Sequence, residues 1–117
     1  MLLALLCSGP APAQDLGARL LVQSSPLAGF RHYAAGEVWP KLKVGDELQL
    51  VRERVNPHDA NAVALAWRGR KLGYVPRRSN AAIAWGLDRG AALRARISRL
   101  AMHPNPARRL EFEVFME

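Results

Sequence analysis

A chain of 117 residues that is half hydrophobic has the size of one domain with its own core, and its single cysteine, Cys7, excludes an internal disulfide and a cysteine-rich metal site. The net charge of +7 is unevenly spread: residues 1–67 carry six basic and six acidic side chains, residues 68–109 carry eleven basic side chains against Asp88 alone, and residues 110–117 return three acids. A one-sided positive surface attracts polyanions such as nucleic acid, anionic lipid or acidic polysaccharide, unless the arginines only solvate strand faces.

Residues 2–6 read Leu-Leu-Ala-Leu-Leu, and Ala11-Pro12-Ala13 stands just before Gln14. This is the pattern of an apolar signal core with an A-x-A-like cleavage site, lacking only a positive start. The expectation is a truncated signal peptide over residues 1–14 and a single mature domain over residues 15–117. Such a protein is periplasmic or secreted; it is cytoplasmic if the segment is not a signal. No stretch approaches the ~20 apolar residues of a membrane span.

Alternation predicts a first strand over residues 18–23, interrupted by Ser24-Ser25-Pro26. The glycine-bounded segment 27–36 keeps neither a helical nor a strand period and reads as a structured loop, with Trp39 and Leu42 tucked beneath the sheet. Val44-Gly45-Asp46 then turns the chain into a strand whose Leu48 and Leu50 face in while Glu47, Gln49 and Glu53 face out. After a polar turn, Val63, Leu65 and Trp67 share one face, with alanines on the other. Those small residues either leave room for a flat ligand or pack beneath a helix. Arg68-Gly69-Arg70-Lys71 is a tight hairpin connection, and Leu72 and Tyr74 are expected on one side of the next strand, which Pro76 ends.

Ser79 is placed to cap a short helix over residues 80–89, with Ile83, Ala84 and Leu87 as its apolar stripe and Gly90 at its end. Strands alternating around Leu93, Ala95 and Ile97, and around Leu110, Phe112 and Val114, complete the chain. Between them His103-Pro104-Asn105-Pro106 forms an irregular loop. Five or six short strands with one or two short helices predict a mainly β fold, a small partly open OB-like β-barrel.

The informative turn is Asn56-Pro57-His58-Asp59-Ala60-Asn61. Pro57 fixes its own φ and biases Asn56 away from helix, while Asp59 and Asn61 can bond nearby backbone N–H groups. The turn is therefore rigid and presents Asn56, His58 and Asp59 in a fixed arrangement. A hydrolase needs a nucleophile with a base, and a metalloenzyme needs clustered ligands. The three histidines, His32, His58 and His103, fall in three different loops, and no HExxH, CxxC or glycine-rich phosphate loop is present. No catalytic residue, metal or cofactor is expected.

Gly29-Phe30-Arg31-His32-Tyr33, Trp39, Gly45-Asp46, Asn56-Pro57-His58-Asp59, Asn61-Ala62-Val63 and Leu72-Gly73-Tyr74-Val75-Pro76, in this order, resemble the HIRAN domain. That domain stands at the front of helicase-like DNA-repair proteins in eukaryotes and occurs as a free-standing protein in bacteria. The resemblance implies a non-enzymatic module binding single-stranded DNA, preferably at a 3′-hydroxyl end. It implies that His32 and His58 stack on terminal bases and that Asp59 accepts a hydrogen bond from the free hydroxyl. It also implies that Asn56 supports the turn and contacts the strand, that Arg31, Tyr74 and Arg77 contact phosphates or close the pocket, and that Tyr33 belongs to the same surface. Histidine stands at both stacking positions where the eukaryotic DNA binders favour tyrosine, which points to weaker or pH-dependent binding, or to a different ligand. Each residue also has a purely structural reading: Asn56 and Asp59 as turn caps, Tyr33 and Tyr74 as core, Arg77 as solvated charge. The rival function is an exported module that docks a protein or polyanion of the cell envelope.

Overall fold

The computed structural model describes residues 19–117, so the leader-like segment and Ala18 lie outside the described residues. Six strands form one antiparallel sheet: β1 Leu20–Pro26, β2 Glu47–Arg52, β3 Val63–Trp67, β4 Arg70–Tyr74, β5 Leu93–Leu100 and β6 Leu110–Met116. Their order across the sheet is β1-β6-β5-β2-β3-β4. Two short helices, α1 Ala35–Val38 and α2 Ala81–Asp88, accompany them. The inward residues of the alternating strands and the stripe of α2 meet in one core, where Leu48, Leu65, Ile83, Ile97 and Phe112 are at most 1% exposed.

The sheet is curled but not closed. Its two edge strands meet at a single point, where Ala28, just past β1, and Tyr74 of β4 exchange both backbone N–H···O bonds at 2.9 Å. Gly73 makes this approach possible. A Cβ there would lie 2.3 Å from the Ala28 carbonyl oxygen and 2.9 Å from Leu27 Cδ1, so only hydrogen fits. The result is the partly open, OB-like barrel that the alternation predicted.

Several local expectations are corrected. Ser24-Ser25-Pro26 does not interrupt β1, which runs on to Pro26. Leu27 N–H points to Leu110 of β6, so by alternation the Pro26 nitrogen faces the open side of an edge strand, where no ladder bond is lost. The segment expected to be loop contains a 3-10 turn at Phe30–His32, the short α1, and a second 3-10 turn at Trp39–Lys41. Leu42 is buried, and Trp39 packs against the core edge-on to Phe30, with ring centroids 5.6 Å apart.

The hairpin between β3 and β4 is a two-residue turn with Arg68 at φ 48° and Gly69 at φ 80°, the pair of positive values that suits the twist of two antiparallel strands. Leu72 and Tyr74 do not share a side of β4. The register slips by one residue between Leu65↔Gly73 and Ala66↔Lys71, so Leu72 is the extra residue of a bulge. Leu72 drops into the core, while Lys71 and Tyr74 come together on the opposite face. That face is not open along β3 either: Ala62, Ala64 and Ala66 are at most 8% exposed.

Helix α2 starts at Ala81 rather than Asn80, and Ser79 is not its cap. Ser79 belongs to a 3-10 turn, Arg77–Ser79, and its hydroxyl turns back to the Pro76 carbonyl. Asn80 occupies the cap position without capping, because its side chain is buried and committed elsewhere. Glu53, expected to face solvent, is three-quarters covered, its side chain 23% exposed.

Candidate nucleic-acid interface

Glu53 N–H donates to the Ala62 carbonyl across the base of the polar turn. Within the turn, Asn56 Oδ1 accepts from His58 N–H at 2.8 Å, and Asp59 Oδ1 accepts from Asn61 N–H at 2.9 Å. Asp59 Oδ2 accepts from the buried Asn80 Nδ2 at 2.8 Å, which ties the turn to the start of α2. Arg77 donates to the His58 carbonyl and places its Nε 3.6 Å from Asp59 Oδ2. Asn56 and Asp59 therefore do cap the turn, as the structural reading had it.

Above this turn lies a cleft of about 230 Å³, and Tyr33, Asn56, His58, Asp59, Tyr74 and Arg77 line it. Six of the eight residues singled out in the sequence thus converge. Arg31 and His32 do not reach the cleft; they line a neighbouring depression with Asn105 and Pro106, and the His32 ring meets Tyr33 edge-on at 6.5 Å. Tyr33 is 42% exposed and Tyr74 is half-buried, so neither is a core residue. Their rings pack edge to face at 5.5 Å.

A family model described as the HIRAN domain matches residues 20–117. The chain belongs to the HIRAN domain family. It is similar in structure to a protein from Lactobacillus plantarum, with 26% identity and a TM-score of 0.73 over 85% of this chain and 95% of that one. The HIRAN domain of human HLTF is similar in fold, with 18% identity and a TM-score of 0.60 over 86% of this chain and 82% of that one. No curated protein matches the chain.

Beneath the cleft, this HIRAN domain holds a charged network that the sequence did not reveal. The Tyr74 hydroxyl donates to Glu53 Oε1 at 2.7 Å and accepts from Lys71 Nζ at 3.0 Å. Lys71 also pairs with Glu53 Oε2 at 2.8 Å, and Asn56 Nδ2 donates to Glu53 Oε1 at 3.1 Å. The Lys71 ammonium sits 5.3 Å from the Tyr33 ring centre and 5.0 Å from that of Tyr74. Alternation put Glu53 on the correct face; it could not show that Tyr74 and Lys71 cover that face. Lys71 and Tyr74, three apart in sequence, point the same way only because of the bulge at Leu72, which leaves no mark in the hydrophobic pattern.

Partial burial pushes the Glu53 carboxyl up, but hydrogen bonds from Lys71, Tyr74 and Asn56 outweigh it and hold the group below the ordinary glutamate range. The hydrogen bond to Glu53 raises Lys71, and burial raises Tyr74, so one stays cationic and the other neutral at physiological pH. The Asn61 N–H lowers Asp59 most, burial opposes it, and Asn80 and Arg77 add to the lowering, so the carboxyl stays below its ordinary range. Both carboxyls are lowered on folding, so their contribution to stability is complete above the ordinary carboxyl values and is lost as pH falls through the lowered ones. The stability gap between wild type and Glu53→Gln should accordingly hold from pH 7 down to about 4.3 and narrow below that value. Urea melts above and below that value check this; a gap that stays constant throughout contradicts it. Tyr74→Phe removes two charge-assisted hydrogen bonds and should cost about 1.5 kcal/mol in the same assay.

The basic block is dispersed by pairing. Arg94 pairs with Glu47 and Glu117, Arg96 with Glu113, Arg99 with Glu111, and Arg70 with Glu37. Most of these are cross-strand pairs on the wet face of the sheet, where alternating arginines and glutamates stand opposite each other. Among the described residues, no group of three or more His, Cys, Asp and Glu side chains is placed to hold a metal ion.

Proposed function

We propose that this HIRAN domain is a non-catalytic module that binds single-stranded DNA at a 3′-hydroxyl end, seated in the cleft over the Asn56–Asn61 turn. The observation that carries this reading is the ionised Asp59 carboxylate in a cleft flanked by the planar side chains of Tyr33 and His58 and by the Arg77 guanidinium. A carboxylate repels internal phosphates, so it suits a strand only where the strand ends in a hydroxyl. Each carboxylate oxygen accepts two hydrogen bonds, and those from Asn61 and Asn80 use one on each, which leaves acceptor capacity for the ligand. Exposed aromatic and imidazole faces add stacking worth ~1 to 3 kcal/mol per base. Arg77 has a double role: it clamps the turn through the His58 carbonyl, and its guanidinium, largely exposed, remains available to the terminal phosphodiester. Tyr74 serves as a wall through its ring, since its hydroxyl is committed to Glu53 and Lys71.

The rival reading is an exported module that docks a protein or polyanion of the cell envelope; its polyanion form is weakened by the glutamates that pair with Arg70, Arg94, Arg96 and Arg99. A competition experiment separates the two. A linear single strand should displace a labelled linear strand, whereas a circular single strand of the same sequence, which has no end, should compete at least about tenfold less well. Equal competition by both would remove the end-binding assignment and leave general electrostatic attachment, which salt abolishes.

A further inference from the structure

Beyond Tyr33, the 3-10 turn at Phe30–His32 faces the loop that joins β5 to β6, and between them lies a pocket of about 390 Å³. Phe30, Trp39, Met102, His103, Pro104 and Arg109 line it. Phe30 and Trp39, packed edge to face, give it an aromatic wall. The Arg109 guanidinium lies 5.3 Å from the Phe30 ring centre and is fixed there, with Nε donating to the His103 carbonyl at 2.7 Å and one terminal nitrogen to the Pro104 carbonyl at 3.3 Å. Its other terminal nitrogen has no acceptor among the described residues.

Three features decide what this pocket would take. It combines an aromatic wall, of which the Trp39 ring is the more exposed part, with a rigid donor, which suits a planar heteroaromatic ring carrying carbonyl or ring-nitrogen acceptors. No acidic side chain lines it, nor the depression of Arg31 and His32 beside it, whereas the hollows next to α2 are lined by Asp88 and, in one, also by Glu53. It is also continuous with the proposed end site: Phe30 is shared with the Arg31–His32 depression, and Tyr33, next in sequence, is a wall of the cleft. A strand leaving the cleft across this turn would meet only neutral and cationic surface.

We propose that the Trp39–Arg109 pocket is a second base-binding subsite, which takes an internal base of the same single strand whose 3′ end occupies the cleft. This inference rests on the single-strand reading given above. The number of nucleotides that OB-like folds cover, about 4 or more, leaves room for it.

The test is an abasic scan. An eight-nucleotide strand with a free 3′-hydroxyl is prepared with one base removed at each position in turn, and its affinity is measured for wild type, Trp39→Leu and Met102→Glu. Met102 is 87% exposed at the pocket rim, so Met102→Glu brings in a carboxylate without disturbing the core and stands in for Trp39→Leu should that variant fail to fold. Wild type should lose about tenfold in affinity when the terminal base is removed and again when one internal base is removed. In both variants the internal loss should vanish while the terminal loss remains, the signature of a removed pairwise interaction. A wild-type profile sensitive only at the 3′ terminus, or an internal loss that persists in Met102→Glu, overturns the second subsite and leaves the end site standing. Absence of binding to every strand overturns both.

Discussion

Gly73→Ala is expected to lower stability by about 3 kcal/mol, the upper end for overpacking a filled site. The added methyl would sit 2.3 Å from the Ala28 carbonyl oxygen, which is backbone and cannot swing away as a side-chain tip would. Relief requires separating β4 from the segment after β1, and that breaks the paired bonds between Ala28 and Tyr74 through which the sheet's two edges meet. The loss should appear as a fall in Tm on the order of 15 °C for a domain of this size. It should also disturb the cleft, since Ala28 and Tyr74 both line it. Gly36→Ala in α1 is the control: the nearest atom to its added methyl is 3.8 Å away, and a helical glycine replaced by alanine should stabilise by about 0.5 kcal/mol. A Gly73→Ala melt within about 3 °C of wild type would show that the edge closure is not tight.

Asp59→Asn should remove the discrimination between a hydroxyl and a phosphate at the 3′ end, although the side chain keeps its size. Asparagine has one acceptor oxygen, and Asp59 uses both of its oxygens within the protein, one for Asn61 N–H and one for Asn80 Nδ2. The new amide's NH2 faces a donor in either orientation as long as the buried Asn80 amide keeps its own, and turning Asn80 over breaks that residue's present arrangement. The buried Asn80 amide or the turn then loses a partner, at a cost of about 1 to 3 kcal/mol. The charge that repels phosphate is lost at the same time. The ratio of the two dissociation constants should fall from about tenfold or more in wild type to near unity in the variant, as expected for one hydrogen bond to a charged group. Measuring the ratio rather than a single affinity separates the effect from partial unfolding, which weakens both ligands alike.

Much of this architecture was legible in the residues. The alternation around Leu48, Leu93 and Leu110 placed three strands on the correct faces, because a half-buried strand writes its burial every second residue, whereas β3 around Val63 is buried on both faces. Of the side-chain caps expected in the Asn56–Asn61 turn, the bond to Asp59 is present, whereas the second is made by Asn56 and not by Asn61. What escaped depends on partners distant in sequence. Asn80 looked like the first residue of a helix, yet its amide is held by Asp59, twenty-one positions earlier. The bulge at Leu72 reverses the side expected for Tyr74, and the Glu53–Lys71–Tyr74 network follows from that reversal. Pro26 read as a strand breaker because nothing local showed that β1 is an edge. Arg31 and His32, adjacent to Tyr33, were grouped with it by sequence, but the 3-10 turn rotates them toward the β5–β6 loop.

On the proposed reading, the Asp59 cleft recognises a strand by its terminal hydroxyl. Equilibrium binding decides this, with the wild-type protein and one short labelled single strand prepared with a free 3′-hydroxyl and with a 3′-phosphate, at physiological salt. The hydroxyl form should bind at least about tenfold tighter, and the preference should survive added salt, because it comes from one hydrogen bond and one local repulsion rather than from counterion release. Equal affinity for the two ends, lost together as salt rises, would contradict it.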